Sequence, residues 1–255
     1  KLLFIEFCLE KRLKMYSFES MVRYSELDES GKLSLLAIFN YFQDCSTFQS
    51  ESLGKGIEYL KWKNVAWWLA NWQVEIIKRP KLCDKIKIFT FAYDFKNMYG
   101  YRNFAIEDEQ GGILVRADSI WFYYDIANGK PKKVEPEDVD VYMQHDKTHF
   151  DMPKTQRKIN IANEQVIAGE TVITRQYIDT NHHVNNAYYV EIAKEALESK
   201  EDIKYINVQY KTAAKLGDKI ISKVSFDKGT KIVELTGDYY IKCEDAVIKV
   251  TKFRF

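Results

Sequence analysis

Apolar and polar positions alternate along this chain in two runs of the same order. Ser17 to Tyr24 changes character at every second residue and predicts a strand. Asp28-Glu-Ser-Gly-Lys-Leu-Ser34 reads as a turn that opens a helix. Leu35, Ile38, Phe39, Phe42 and Cys45 then recur every three or four residues and mark the buried face of that helix. The helical period runs on to Ser52 and breaks at Gly54-Lys-Gly56. Asn64 to Ile77, Lys85 to Phe95, Gly100 to Glu107 and Leu114 to Asp125 predict four strands. Turn signals at Leu82-Cys-Asp84, Lys96-Asn97 and Gln110-Gly-Gly112 separate the last three from what precedes them. The order is one helix, then an antiparallel meander.

Asn128 to Asn163 breaks the pattern. Pro131, Pro136 and Pro153 and many charges make it read as a connection between domains, with Lys130, Lys132 and Lys133 as a solvated cluster. Beyond it the first order returns. Glu170 to Tyr177 predicts a strand, and Asn185 to Ser199 a helix with Ala187, Val190, Ala193, Lys194 and Leu197 on its stripe. Tyr205 to Tyr210, Lys219 to Phe226, Lys231 to Tyr240 and Ala246 to Phe253 predict four strands. Asp28 falls on Asp179 at an offset of 151, and Leu82-Cys-Asp-Lys-Ile86 on Leu216-Gly-Asp-Lys-Ile220 at an offset of 134. A repeat of this size predicts one architecture used twice, with the first copy longer between helix and second strand.

Composition narrows the classes. A chain of 255 residues, 46% hydrophobic and 29% charged, holds two small domains or one large one and packs a core. A formal net charge of +1 argues against a dedicated nucleic-acid binder. Aromatic content of 15% favours sheets and an apolar ligand slot. Cys8, Cys45, Cys83 and Cys243 are scattered, which fits a reducing cytosol and offers neither a disulfide nor a metal framework. His145 and His149 lie four apart with no third ligand near them in sequence, so they read as surface residues and no metal is expected. No apolar run reaches the roughly 18 residues of a membrane span. Lys1 to Lys14 carries a short apolar patch broken by Glu6 and reads as an extension upstream of Met15 or as a short docking helix.

The chemistry concentrates in Asp179-Thr-Asn-His-His-Val-Asn-Asn186, between the strand and the helix of the second run. Such a cluster is commonly a turn with a cap, and Asn185 or Asn186 can cap the helix through a side-chain carbonyl. Asp179, Asn181 and His183 sit at every second position, so an extended segment points them to one side. An acid, an amide and an imidazole at a helix N-terminus suit stabilisation of a developing oxyanion.

This block resembles that of the plant acyl-acyl-carrier-protein (acyl-ACP) thioesterases and their bacterial relatives, over essentially Met15 to Phe255. The resemblance implies an α+β tandem (double) hot-dog, each half a long central helix wrapped by an antiparallel β-sheet. It implies an N-terminal hot-dog over 15–148, non-catalytic and open to an acyl chain, and a catalytic C-terminal one over 163–255. It assigns catalysis to Asp179, Asn181 and His183, with Asn185, Asn186, Trp67 and Trp68 as substrate-binding residues and His182 as a flank. The implied partner is acyl carrier protein bearing a phosphopantetheine-linked acyl chain, in the cytoplasm, with no cofactor and with a homodimer allowed. Plant members carry a Glu-Cys pair after a Tyr-Arg-Arg run, where this chain has Tyr210-Lys-Thr-Ala213-Ala214, so neither a fourth carboxylate nor a cysteine nucleophile is expected there. In the first half Ser30, Gly31 and Lys32 stand against Asn181, His182 and His183, which leaves one active site per chain. An acyl-CoA thioesterase, a hot-dog hydratase or dehydratase, and a silent acyl-binding module stay open as alternatives.

Overall fold

The computed structural model describes residues 15–143, 149–159, 164–197, 203–227, 230–237 and 244–251. The chain divides into two compact units, Lys1–Leu69 with Ile77–Lys154, and Ala70–Ile76 with Thr155–Phe255.

The first unit is built on a long helix, α1 (Leu35–Ser52). Ser34 starts it, its side chain accepting the Ala37 N–H at 3.1 Å, so one of the orphan amides of the first turn is satisfied. Leu35, Ile38, Phe39, Phe42 and Cys45 are all buried, as their spacing predicts. Each large apolar side chain taken from water contributes about 1.5–3 kcal/mol. The stripe faces an antiparallel sheet of β1 (Tyr16–Met21), β3 (Lys85–Lys96), β4 (Tyr99–Asp108) and β5 (Ile113–Asp125), in that order, with the short β6 (Lys130–Pro131) on β5. Phe42 of α1 meets Phe104 of β4 with ring centroids 5.3 Å apart. The strand β2 (Val65–Ile76) is divided, its first five residues belonging to this unit.

In the second unit Asn71 to Glu75 of β2 pair with β8 (Tyr205–Tyr210), and the sheet continues through β11 (Glu244–Thr251), β10 (Thr230–Gly237), β9 (Lys219–Asp227) and β7 (Val166–Val172). The helix α4 (Asn186–Ala196) packs on β7, β9, β10 and β11 through Ala187, Tyr189, Val190, Ile192, Ala193 and Ala196. Each unit is thus a helix laid on an antiparallel sheet, the hot-dog arrangement that the sequence resemblance implies.

The segment read as a connection needs correcting. Its first part belongs to the first unit, where Pro136–Tyr142 forms a helix, α3, with Pro136 at its first turn. A further helix, α2 (Ile57–Lys63), follows the Gly54-Lys-Gly56 break. The two helices are joined through Asp138, whose buried carboxylate accepts from Tyr59 at 2.7 Å, Lys55 at 2.8 Å, and Lys63 and Tyr123 at 3.0 Å. Heptads and alternation did not reveal α2 and α3, because each is only seven residues long and is held by charge rather than by a stripe. Lys132 of the basic cluster is paired with Glu135 at 2.8 Å and is therefore not simply solvated. His149 is not a surface residue: its side chain is 13% exposed, it meets the Tyr93 ring edge-on at 4.8 Å, and Nε2 lies 3.6 Å from Asp118. The strand expected up to Tyr177 ends at Val172, and a 3₁₀ turn, Arg175–Tyr177, follows. The first half does the same, β1 ending at Met21 before a 3₁₀ turn at Tyr24–Glu26. Lys1–Lys14, His145 and the predicted strand ends at 238–240 and 252–253 lie outside the described residues.

Candidate active site

The loop Asp179–His183 is fastened at both ends before it reaches α4. Ile178 bridges Val184, the Asp179 N–H donates to His183 O at 2.8 Å, and the Asn185 N–H donates to Tyr177 O at 2.8 Å. The Val184 N–H donates to Ala214 O at 2.9 Å, tying the loop to the chain after β8. Closing so tight a turn puts His182 in the left-handed region at φ 62°, which non-glycine residues seldom adopt. The Asp179 carboxylate accepts the Asn181 N–H at 2.8 Å, Asn181 Nδ2 at 3.4 Å and the His183 N–H at 3.4 Å. Short polar side chains bonding their own backbone are what make Asp and Asn turn formers.

The loop gathers Asp179, Asn181 and His183 within five residues. Asp179 and Asn181 touch through their side chains, whereas the His183 imidazole makes no hydrogen bond among the described residues. Asn181 is exposed and His183 half-buried. Asn185 is the N-cap, its Oδ1 taking the Ala187 N–H at 2.9 Å. The Tyr188 N–H bonds Asn185 O at 3.0 Å, so of the amides opening the helix that of Asn186 is left without a bond among the described residues.

Sequence reasoning missed the tyrosines that brace this helix start. Tyr189 Oη accepts the Ala214 N–H at 2.7 Å, and Tyr210 Oη donates to Asn186 O at 2.8 Å. Burial pushes the Tyr210 phenol well above its ordinary pKa, with Tyr189 adding to the shift, so it stays a donor. Tyr177 meets Tyr188 edge-on at 5.1 Å. The available signal was the placement of Tyr188 and Tyr189 on adjoining faces of the first helical turn. Ala214 is buried and both its backbone groups are used, while Ala213 is exposed.

The first half has the same backbone with different chemistry. The Asp28 N–H donates to Lys32 O at 2.9 Å, Ser34 N–H to Glu26 O at 2.8 Å, and Leu33 N–H to Pro80 O at 2.8 Å. These match the bonds of Asp179, Asn185 and Val184 at offsets of 151 and 134. Gly31, at φ 69°, stands where His182 does. The difference lies at the position of Ala213, where the first half has Arg79. Its guanidinium pairs with Asp28, both side chains being only 10% exposed. Burial alone would raise the Asp28 pKa, but hydrogen bonds from Ser30 and Arg79 outweigh it and bring it down. No cation pairs with Asp179 among the described residues.

Trp67 and Trp68 lie on opposite faces of β2. Trp67 packs inward on Tyr123 at 4.8 Å and Phe95 at 6.0 Å, and Trp68 stacks on Tyr124 at 4.0 Å with 41% of its surface exposed. The one acidic trio that could hold a metal among the described residues, Glu135, Glu137 and Asp138, already surrounds the Lys63 ammonium at 2.6, 2.9 and 3.0 Å.

The fold is that of the double hot-dog proteins. Over 94% of this chain and 98% of the other, it is similar to an acyl-ACP thioesterase from Bacteroides thetaiotaomicron, with a TM-score of 0.83 and 21% identity. It is also similar to the 12:0-ACP thioesterase of Umbellularia californica, with a TM-score of 0.77 and 17% identity over 93% and 96% of the two chains. No curated protein sequence matches significantly. The models of the acyl-ACP thioesterase N-terminal domain and C-terminal domain match residues 14–142 and 160–254. The chain therefore belongs to the acyl-ACP thioesterase family and is a thioester hydrolase.

Proposed function

We propose that the chain has one working site, in its second half, where Asp179, Asn181 and His183 hydrolyse the thioester of acyl-ACP and release a free fatty acid. The catalytic domain is 163–255, and the domain 15–148 takes the acyl chain and does no chemistry. The observation that carries this reading is the contrast between the two carboxylates: Asp28 is neutralised by Arg79, whereas Asp179 has no cation among the described residues. A carboxylate clamped by a guanidinium is not free to orient a water, and the first half has Lys32 where the second has the His183 imidazole.

In the second half His183 takes a proton from water as the oxygen attacks the carbonyl carbon. It returns that proton to the departing pantetheine sulfur, so that thioester and water become acid and thiol. Asp179 and Asn181, whose side chains touch, orient the water, and the Asn186 N–H at the positive end of the helix meets the developing oxyanion. Asn185 shapes that helix start through its cap, and Asn186 binds the substrate carbonyl. Trp67 forms part of the wall of the acyl slot, and Trp68, partly exposed on the other face of β2, stays a candidate substrate contact. With acyl-ACP as its substrate, this hydrolysis serves fatty-acid synthesis in the cytoplasm, a reading supported by the family match.

The test is turnover of acyl-ACP and acyl-CoA by three variants. His183→Ala and Asp179→Asn should each lower kcat by ~10²–10⁴, the usual contribution of a general base, while Lys32→Ala keeps its rate. Near-normal turnover in His183→Ala, or equal loss in Lys32→Ala, would overturn the one-site reading.

A further inference from the structure

Arg102 carries a charge that pairs with no carboxylate among the described residues. It lies on β4, turned toward α1, on the same face as Phe104 and its contact with Phe42. Only 8% of it is exposed. Nη1 donates to Gln49 Oε1 and, at 3.2 Å, to Thr90 Oγ1, whose own proton goes to Asn103 O at 2.8 Å. Nε and Nη2 make no hydrogen bond among the described residues. The rings of Phe104 and Tyr142 lie 6.0 and 5.5 Å from the guanidinium carbon.

Among the described residues its neighbours are neutral or already paired. Burial pushes the Cys45 thiol up to about 12 and raises the Tyr142 phenol, so neither is an anion at neutral pH. Asp138 is taken by Lys55 and Lys63. Asp118 is bonded to Tyr93 at 3.0 Å and to Asn103 at 3.2 Å. A guanidinium stays protonated in proteins, and a buried charge is costly unless it is paired. Ring faces offset part of that cost but satisfy none of the N–H groups. A site needed only for packing would be better filled by methionine or leucine.

The surroundings suggest what supplies the missing charge. Trp67 meets Phe95 at 6.0 Å, and Phe95 meets Tyr142 at 6.4 Å, so a run of rings ends at the cation. An apolar wall closed by donors fits a chain that is hydrocarbon along its length and oxygenated at its end. We propose that Arg102, with Gln49 and Thr90, receives the far end of an acyl chain that terminates in a carboxylate, so that this thioesterase prefers ω-carboxyacyl chains to plain ones. This rests on the reading that the first half takes the acyl chain.

The direct test is calorimetric binding of two uncleaved probes of matched length, the monomethyl ester of a dicarboxylic acid and the methyl ester of a fatty acid. The wild-type chain should bind the carboxylate probe about tenfold or more tightly, as charge-assisted hydrogen bonds require. Arg102→Met should erase the difference. Gln49→Glu should erase it too, by providing the guanidinium with an internal carboxylate, and should raise Tm, which keeps the test sound should Arg102→Met fail to fold. Equal affinity for both probes in the wild type, or a preference that survives Gln49→Glu, overturns the proposal. Turnover of the corresponding acyl-ACP pair is measured separately: no hydrolysis of either would sink the proposed catalytic site, while the binding comparison would still decide the role of Arg102.

Discussion

At the scale of single residues, the two halves test each other. His182 and Gly31 occupy the same left-handed turn position, at φ 62° and 69°, but only glycine adopts it without a steric cost. His182→Gly should therefore keep or raise stability, by up to about 1 kcal/mol, with unchanged turnover. Chemical denaturation checks it, and a marked loss of activity would give His182 a role beyond a flank. Arg79 and Ala213 make the complementary pair. Ala213→Arg should set a guanidinium on Asp179 as Arg79 is set on Asp28, lowering kcat by about tenfold or more with little change in KM. A full rate in a folded Ala213→Arg variant would mean that Asp179 does not need to be free of a cation.

At the scale of elements, α2 and α3 depend on one carboxylate. Burial would raise the Asp138 pKa, but hydrogen bonds from Lys55, Tyr59, Lys63 and Tyr123 reverse that and bring it to about 2. Glu135, bonded by Lys132 and then Lys63, is likewise brought to about 2. Both folded-state values lie below the ordinary carboxylate range. The stability they contribute is therefore full above about pH 5 and is lost as pH falls toward 2. Acid titration of the fold should show this loss, and Asp138→Asn should start less stable at pH 7 and fall less steeply between those values. Parallel acid curves for the two proteins would show that Asp138 is not the hub. The helices α1 and α4 were legible in sequence because an apolar stripe of period 3.6 is enough to specify each of them. The seven-residue α2 and α3 have no such stripe, and Asp138 meets Lys55 and Lys63 only after the chain has folded back through β2 to β5.

At the scale of the whole molecule, the family implies acyl-ACP as the substrate, and we propose that the exposed Lys211 and Lys215, which follow β8, meet its carrier as an acidic partner. Attraction between charged partners fades as the Debye length shrinks from about 10 Å at 0.1 M salt to about 3 Å at 1 M. Turnover of acyl-ACP should therefore drop with salt more steeply than turnover of a small neutral thioester, and Lys215→Glu should flatten the acyl-ACP curve. Parallel salt curves for the two substrates would argue against charge-guided docking.

The sequence by itself determined the doubled architecture, the two long helices and the loop that holds Asp179, Asn181 and His183. All of these depend on contacts between near neighbours: a helical stripe, a turn closed by its own aspartate, a cap six residues on. Tertiary structure alone decided that Arg79 neutralises Asp28, that Tyr189 and Tyr210 brace the helix start, and that Arg102 is buried against Gln49 with no carboxylate among the described residues. Those facts join residues 51, 25, 24 and 53 positions apart. No local period encodes such pairs, because which side chains meet across a sheet and a helix follows from strand order and register, and these are set by the packing of the whole unit.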